Sequence, residues 1–224
     1  NKLSYLTDSY GVKIKRINDI DAPFNFVFIT DIHNRLNELD LKSRNVDFKP
    51  ADISFAVDTV NSIAYILERC PKIDYVISGG DIGNDYDPDK KAIRDSIKEI
   101  MSALHSLNVP IHHCIGNHDD VTGDFRIGSY GNNDFSADYA ILPDEMHELC
   151  MQSNPTDENY YYIDHDSKDG KYRLVFLNTS DKDYHINPNT GLYDNYVEIS
   201  TKQENWLKNE ALKTDRKVIV FSHV

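Results

Sequence analysis

Seven polar residues of this 224-residue chain fall at four places, each just after a short apolar run. Asp31 and His33 follow Phe26–Ile29, and Asp81 follows Tyr75–Ser78. Asn117, His118 and Asp119 follow the run that ends at Ile115, and His223 follows Val218–Phe221. Asp31 and His33 are two residues apart, so in extended backbone their side chains point the same way. Gly80 and Gly116 stand just before Asp81 and Asn117, where glycine allows a sharp turn and a close approach of backbone to whatever is bound. Carboxylates, imidazoles and an amide oxygen gathered in one crevice make a hard-to-borderline site for two divalent cations. With no thiolate in the set, Mn, Fe or Zn are the fitting occupants. Two such ions close together need a bridging carboxylate to offset their repulsion. They then activate a water and hold the oxygens of a transferring phosphoryl group.

The elements that must position these residues are legible from periodicity. The runs Phe26–Ile29, Tyr75–Ser78, Val109–Ile115 and Val218–Phe221 are β-branched and aromatic, and they read as strands buried on both faces. Between the first two, Ala51–Arg69 carries apolar residues at helical spacing (Phe55, Val57, Val60, Ile63, Ala64, Ile66, Leu67). Between the second and third, Pro88–Leu107 does the same with Ile93, Ile97, Ile100, Met101 and Leu104. Strand, helix, strand, helix, strand predicts βαβ units on parallel strands, whose carboxyl ends form the binding crevice. Further on, Tyr160–Asp164 and Tyr172–Leu177 flank Ser167-Lys-Asp-Gly170 and predict a hairpin. Thr201–Leu212 predicts a short amphipathic helix with Trp206 in the core, while 120–137 and 178–198 read as long polar loops.

Composition narrows the classes. Acidic residues number 37 and basic residues 24, a net charge of −13, which suits a cation-holding protein and argues against nucleic acid as partner. No apolar run of the length needed to span a membrane occurs. The start of the chain has no apolar leader, and a removed one leaves no trace, so the expected compartment is cytoplasmic. Cys70, Cys114 and Cys150 are odd in number and far apart, against a disulfide framework or a thiolate zinc site.

In order and placement, Asp31-Ile-His33, Gly80-Asp81, Gly116-Asn-His-Asp119 and Ser222-His223 resemble the successive motif blocks of the calcineurin-like metallophosphoesterases. Leu177-Asn-Thr-Ser180 and Gln203-Glu-Asn-Trp-Leu207 are also similar to that family, so the resemblance runs from about Phe26 to Val224. It implies a four-layer αββα sandwich with mixed sheets (α+β or α/β), in one domain over 1–224. It also implies metal-dependent hydrolysis of a phosphomonoester or phosphodiester, small or macromolecular. By the resemblance, Asp31 and His33 bind a first ion, Asp81 bridges, and Asn117 and His223 bind a second. By the same resemblance, His118 would protonate the leaving-group oxygen or hold the phosphate, and Asp119 would orient His118.

Two departures stand out. Asn34 replaces the family's usual glycine after His33, and the family's Gly-His-x-His would continue past His223, one residue before the chain stops. The expectation is therefore a domain truncated at its C-terminal end. Phe125, Arg126 and Tyr130 in the 120–137 loop are the candidates for substrate contact, and the adjacent His112 and His113 read as packed or surface residues. The alternatives are a non-catalytic scaffold of the same fold that binds a protein, or a nuclease of that fold. The presence of His118 and Asp81 weighs against the scaffold.

Overall fold

In the computed structural model, which describes residues 14–34, 55–83, 90–119, 141–181 and 199–224, the first three strands lie side by side in parallel. They are β1 (Phe26–Ile29), β2 (Tyr75–Ser78) and β3 (Ile111–His113), joined through helices α1 (Phe55–Arg69) and α2 (Lys90–His105). A helix absent from the sequence expectations, α3 (Pro143–Cys150), follows; Pro143 opens it, and Asp144 and Glu145 occupy its first turn. The predicted hairpin forms as β4 (Tyr161–Ser167) and β5 (Gly170–Phe176), and β6 (Lys217–Phe221) adds parallel to β5. The result is the expected αββα sandwich. Buried residues of α1 (Val60, Ile63), α2 (Ile93, Ile97, Leu104) and α3 (Met146, Leu149) fill the outer side of the first sheet.

The register puts Phe26, Phe28, Tyr75 and His112 on one face of the first sheet, toward Tyr161, His165, Phe176 and Phe221 of the second. These rings meet directly: Phe26 and Phe176 lie 5.6 and 5.2 Å from Phe221, and His112 stacks on Phe176 at 5.1 Å. His112 is thus an inter-sheet core residue, its Nδ1 3.0 Å from the Tyr161 hydroxyl. Burial holds its pKa down at about 4, against an ordinary value near 6.5. The folded protein keeps the ring neutral while the unfolded chain takes up a proton. The associated stability is therefore full above about pH 6.5 and is lost between there and about pH 4, on the order of 3 kcal/mol. His112→Phe is expected to lower the Tm at pH 7, because the buried Tyr161 hydroxyl loses its side-chain partner, yet to flatten the fall of Tm between pH 6.5 and 4. Parallel Tm–pH curves for the two proteins would exclude His112 as the acid-labile element.

Three expectations need correction. β1 and β6 are not buried on both faces: Phe26, Phe28 and Val220 are 36%, 48% and 49% exposed, and both strands are sheet edges among the described residues. Edge and central strands with the same apolar run look alike in sequence, because pairing on the second side leaves no local mark. Next, Thr201–Leu212 is not uniformly α-helical: α4 (Thr201–Trp206) widens into a π-turn over Leu207–Ala211, with Leu212 N–H bonded to Leu207 O at 3.0 Å. Arg173, paired bidentately with Asp164 at 2.7 and 3.0 Å, donates to Ala211 O at 3.2 Å and meets carbonyls at the end of that turn. Finally, Trp206 is only part-buried, on Tyr160 and Tyr162 at the outer face of the second sheet.

Gln203 ties α4 to the segment after β5. Its amide donates to Asn178 O at 2.8 Å and Asp181 Oδ2 at 3.0 Å, and its Oε1 accepts from Asn178 N at 3.0 Å. Phe125, Arg126 and Tyr130, and the rest of the 120–137 loop, lie outside the described residues.

Candidate metal centre

The loops after β1 and β2 are laced together by backbone. Asp31 N donates to Gly80 O (3.0 Å), His33 N to Asp81 O (2.9 Å) and Asn34 N to Ile82 O (2.8 Å). Asp31, His33 and Asp81 adopt φ of 56°, 46° and 53°, and they are the non-glycine residues with positive φ among the described residues. That region costs roughly 1–3 kcal/mol per residue and persists where the surroundings enforce it, often at functional sites. Here it falls on three expected metal ligands. A Cβ on Gly116 would stand 2.1 Å from Asp81 Oδ1, so the β3 loop can approach Asp81 only through glycine.

The side chains converge on Asp81, which is buried. Its Oδ2 is faced by His223 Nε2 at 3.2 Å, His33 Nε2 at 3.8 Å and His118 Nε2 at 4.0 Å, while Oδ1 accepts from His118 N at 2.9 Å. On one side, Asp31 Oδ1 lies 3.7 Å from His33 Nε2; on the other, Asn117 Oδ1 lies 3.0 Å from His223 Nε2. Asp31, Asp81 and His223 each present a ligand atom, all within 4.8 Å of one another. All the expected ligands therefore meet at the carboxyl ends of β1, β2, β3 and β6.

The donor chemistry fits divalent cations. His223 Nδ1 faces Gly79 O at 2.8 Å, and since a carbonyl only accepts, Nδ1 carries hydrogen and Nε2 is the nitrogen turned toward Asp81 and Asn117. A carbonyl fixing the far nitrogen of an imidazole in this way is the usual support for a metal-ligating histidine. His33 Nε2 is too far from either carboxylate for a hydrogen bond, so the His33 imidazole faces Asp31 and Asp81 without bonding to them. The hydrogen bond to Asp81, working against burial, pushes the His223 pKa up to about 9.

Asp119 departs from expectation. Its carboxylate accepts from Asp81 N (2.9 Å) and Gly116 N (2.8 Å) through Oδ2, and from Gly83 N (2.9 Å) through Oδ1. It is fully buried, so it clamps the β2 and β3 loops from beneath rather than steering the His118 ring from the cleft. Burial acts to raise its pKa; His113 and the amides of Gly83 and Gly116 outweigh this and hold it below the ordinary range. His113, which the sequence reading placed among packed or surface residues, is buried with Nε2 3.6 Å from Asp119 Oδ2.

The profile of the calcineurin-like phosphoesterase family matches residues 24–224. The chain belongs to the calcineurin-like phosphoesterase family. That family is metal-dependent and hydrolyses phosphate esters. Among characterised proteins, the manganese-dependent ADP-ribose/CDP-alcohol diphosphatases of Bos taurus and Mus musculus are each 25% identical to this calcineurin-like chain, over 183 and 184 residues. Each match covers 66% of this chain, which spans about half the length of these relatives (52% and 51%). A dimetal phosphatase from Danio rerio has a similar structure at a TM-score of 0.49 and 14% identity, covering 91% of this chain and 70% of that one. Among the described residues, no helix is long and apolar enough to cross a membrane.

Proposed function

We propose that this protein hydrolyses a phosphoester or diphosphate bond of a small substrate with two divalent metal ions held around Asp81. The observation that carries the reading is the set of imidazoles of His33, His118 and His223 directed at one buried Asp81 oxygen from three separate strand ends. Asp31 and His33 would hold one ion, Asn117 and His223 the other, with Asp81 shared between them. When bound, the ions supply charge for the phosphate oxygens and lower the pKa of a water nucleophile. The manganese dependence and diphosphate substrates named for the bovine and murine relatives support manganese and a diphosphate-type substrate.

His118 has a distinct part. Its ring stands edge-on to His33, with centroids 5.2 Å apart, and its backbone amide is pinned to Asp81 Oδ1, so Nε2 projects beside the ligand set. A proton held on Nε2 can pass to the leaving-group oxygen as the P–O bond breaks. General-acid help of this kind is worth about 10²–10⁴-fold. His118→Ala is expected to reduce kcat by that amount on an alkyl phosphoester and by less on p-nitrophenyl phosphate, whose leaving group needs little protonation. Mn2+ affinity stays near wild type. Equal losses on both substrates would remove the proton-donor role.

The test of the whole reading is hydrolysis by the full-length protein loaded with Mn2+, Zn2+ or Fe2+, assayed on p-nitrophenyl phosphate, bis-p-nitrophenyl phosphate and ADP-ribose. Metal-dependent turnover of at least one is expected. Metal binding without turnover of any favours a scaffold, and salt-dependent DNA or RNA affinity favours a nuclease.

A further inference from the structure

Beneath the metal centre lies a buried histidine that the proposed reaction does not use. His113 alternates with His112 along β3, so its ring points away from the second sheet, into the side covered by the helices. Its side chain is 1% exposed, and among the described residues neither ring nitrogen has a hydrogen-bond partner. Orphaned imidazole nitrogens this deep in a protein are uncommon and call for an explanation. The polar atom that Nε2 faces is Asp119 Oδ2 at 3.6 Å, the same oxygen that accepts from Asp81 N and Gly116 N.

That shared oxygen connects His113 to the centre. Asp119 holds the amides of Asp81, Gly83 and Gly116, and Asp81 in turn holds the amide of His118. Asp81 is in a strained backbone region, so its side chain stays where it is only while the clamp is in register. His113 sits on a strand paired with β2 through Ser78, and is therefore a fixed wall against which the clamp can rest. Fully buried, the Asp119 carboxylate also needs polar company on every side.

We propose that His113 is a positioning residue for the metal centre: set against Asp119 Oδ2, its ring keeps the clamp in register and so fixes Asp81 and the Asn117–His118 loop. The inference rests on the metal-dependent reading above. Groups bonded directly to a metal ligand are worth about 10–100-fold in affinity; His113 acts one contact farther out, through Asp119, so the low end of that range applies.

The experiment is Mn2+ titration calorimetry with thermal melts on the full-length protein and its variants. His113→Phe, which keeps ring bulk but loses the polar edge, is expected to weaken Mn2+ binding about 10-fold. His113→Gln, whose amide nitrogen can take the place of Nε2, is expected to restore most of that loss. Cys150→Ala, a buried neighbour of the same cluster, is expected to lower the Tm without moving Mn2+ affinity. Wild-type affinity in His113→Phe, or equal weakening in the Phe and Gln variants, overturns the inference and leaves a packing role. If His113→Phe does not fold, His113→Gln is compared with His113→Asn, whose amide reaches only the Nδ1 position; equal affinities overturn the inference. A wild-type protein that binds no Mn2+ overturns the metal-centre reading and this inference with it, whereas binding that is indifferent to His113 overturns this inference alone.

Discussion

Asp81→Asn is expected to lower kcat/KM by about three orders of magnitude or more. The amide is close in shape to the carboxylate and can still accept from His118 N through Oδ1, so the loop need not move. What disappears is the charge at Oδ2, the atom faced by three imidazoles. Charge stabilisation by metal ions is worth several kcal/mol in a phosphoryl-transfer transition state, and each 1.4 kcal/mol is about tenfold in rate. A second readout separates binding from catalysis. Saturating Mn2+ at about 100 times Kd stabilises a native protein by about 2.7 kcal/mol, roughly 5–10 °C in Tm at this chain length. That Mn2+-induced rise should vanish in Asp81→Asn. Activity within tenfold of wild type would exclude Asp81 as the shared ligand.

Gly116→Ala should be nearly as damaging, although it adds one methyl group. The new Cβ would lie 2.1 Å from Asp81 Oδ1 and 2.3 Å from Asp81 N, and neither atom can yield freely. Oδ1 is held by His118 N and the amide by Asp119, so relief requires the β2 and β3 loops to separate. Overpacking costs about 1–3 kcal/mol, hence roughly 2–12 °C in Tm. A displacement near 1 Å costs about 100-fold in activity. The far-UV circular dichroism should not change, because β2 and β3 end before the clash. Full activity in this variant would mean that the two loops sit farther apart than the structure has them.

The convergence of the candidate ligands is legible because each follows its strand within a few residues, and both the strand and the polar residue after it are local signals. Asp31, His33, Asp81, Asn117 and His223 could be picked out without knowing which strands pair. Asp119 stands out in the sequence but its contacts do not, since its carboxylate holds the backbone amides of Asp81, Gly83 and Gly116. An amide looks the same in every residue, so nothing in the sequence marks those three. His113 was passed over for a related reason. A histidine inside an apolar strand reads as packing, and only folding brings it beside Asp119. The π-turn was hidden similarly: Thr201–Leu212 has an ordinary helical pattern, and the Arg173 contact at its end comes from another strand. Edge exposure of β1 and β6 depended on neighbours, which an apolar run does not specify.

The hydrogen bond from His223 to Gly79 O joins residues 144 apart in sequence. Closing a loop of that length costs about 4 kcal/mol of chain entropy, more than the net gain of about 1 kcal/mol from a single hydrogen bond. His223 therefore cannot recruit its own strand to the crevice. The recruiting force is the pairing of β6 with β5 and the seating of Phe221 among Phe26, Phe28 and Phe176. During synthesis Asp31, His33, Asp81 and Asn117 all emerge from the ribosome before His223, and they remain an acidic, half-caged cluster until β6 docks. On the metal-dependent reading proposed above, an ion would meet His223 together with Asp31, His33, Asp81 and Asn117 only in a chain whose aromatic core has already closed, so its capture would be timed to the docking of the two sheets.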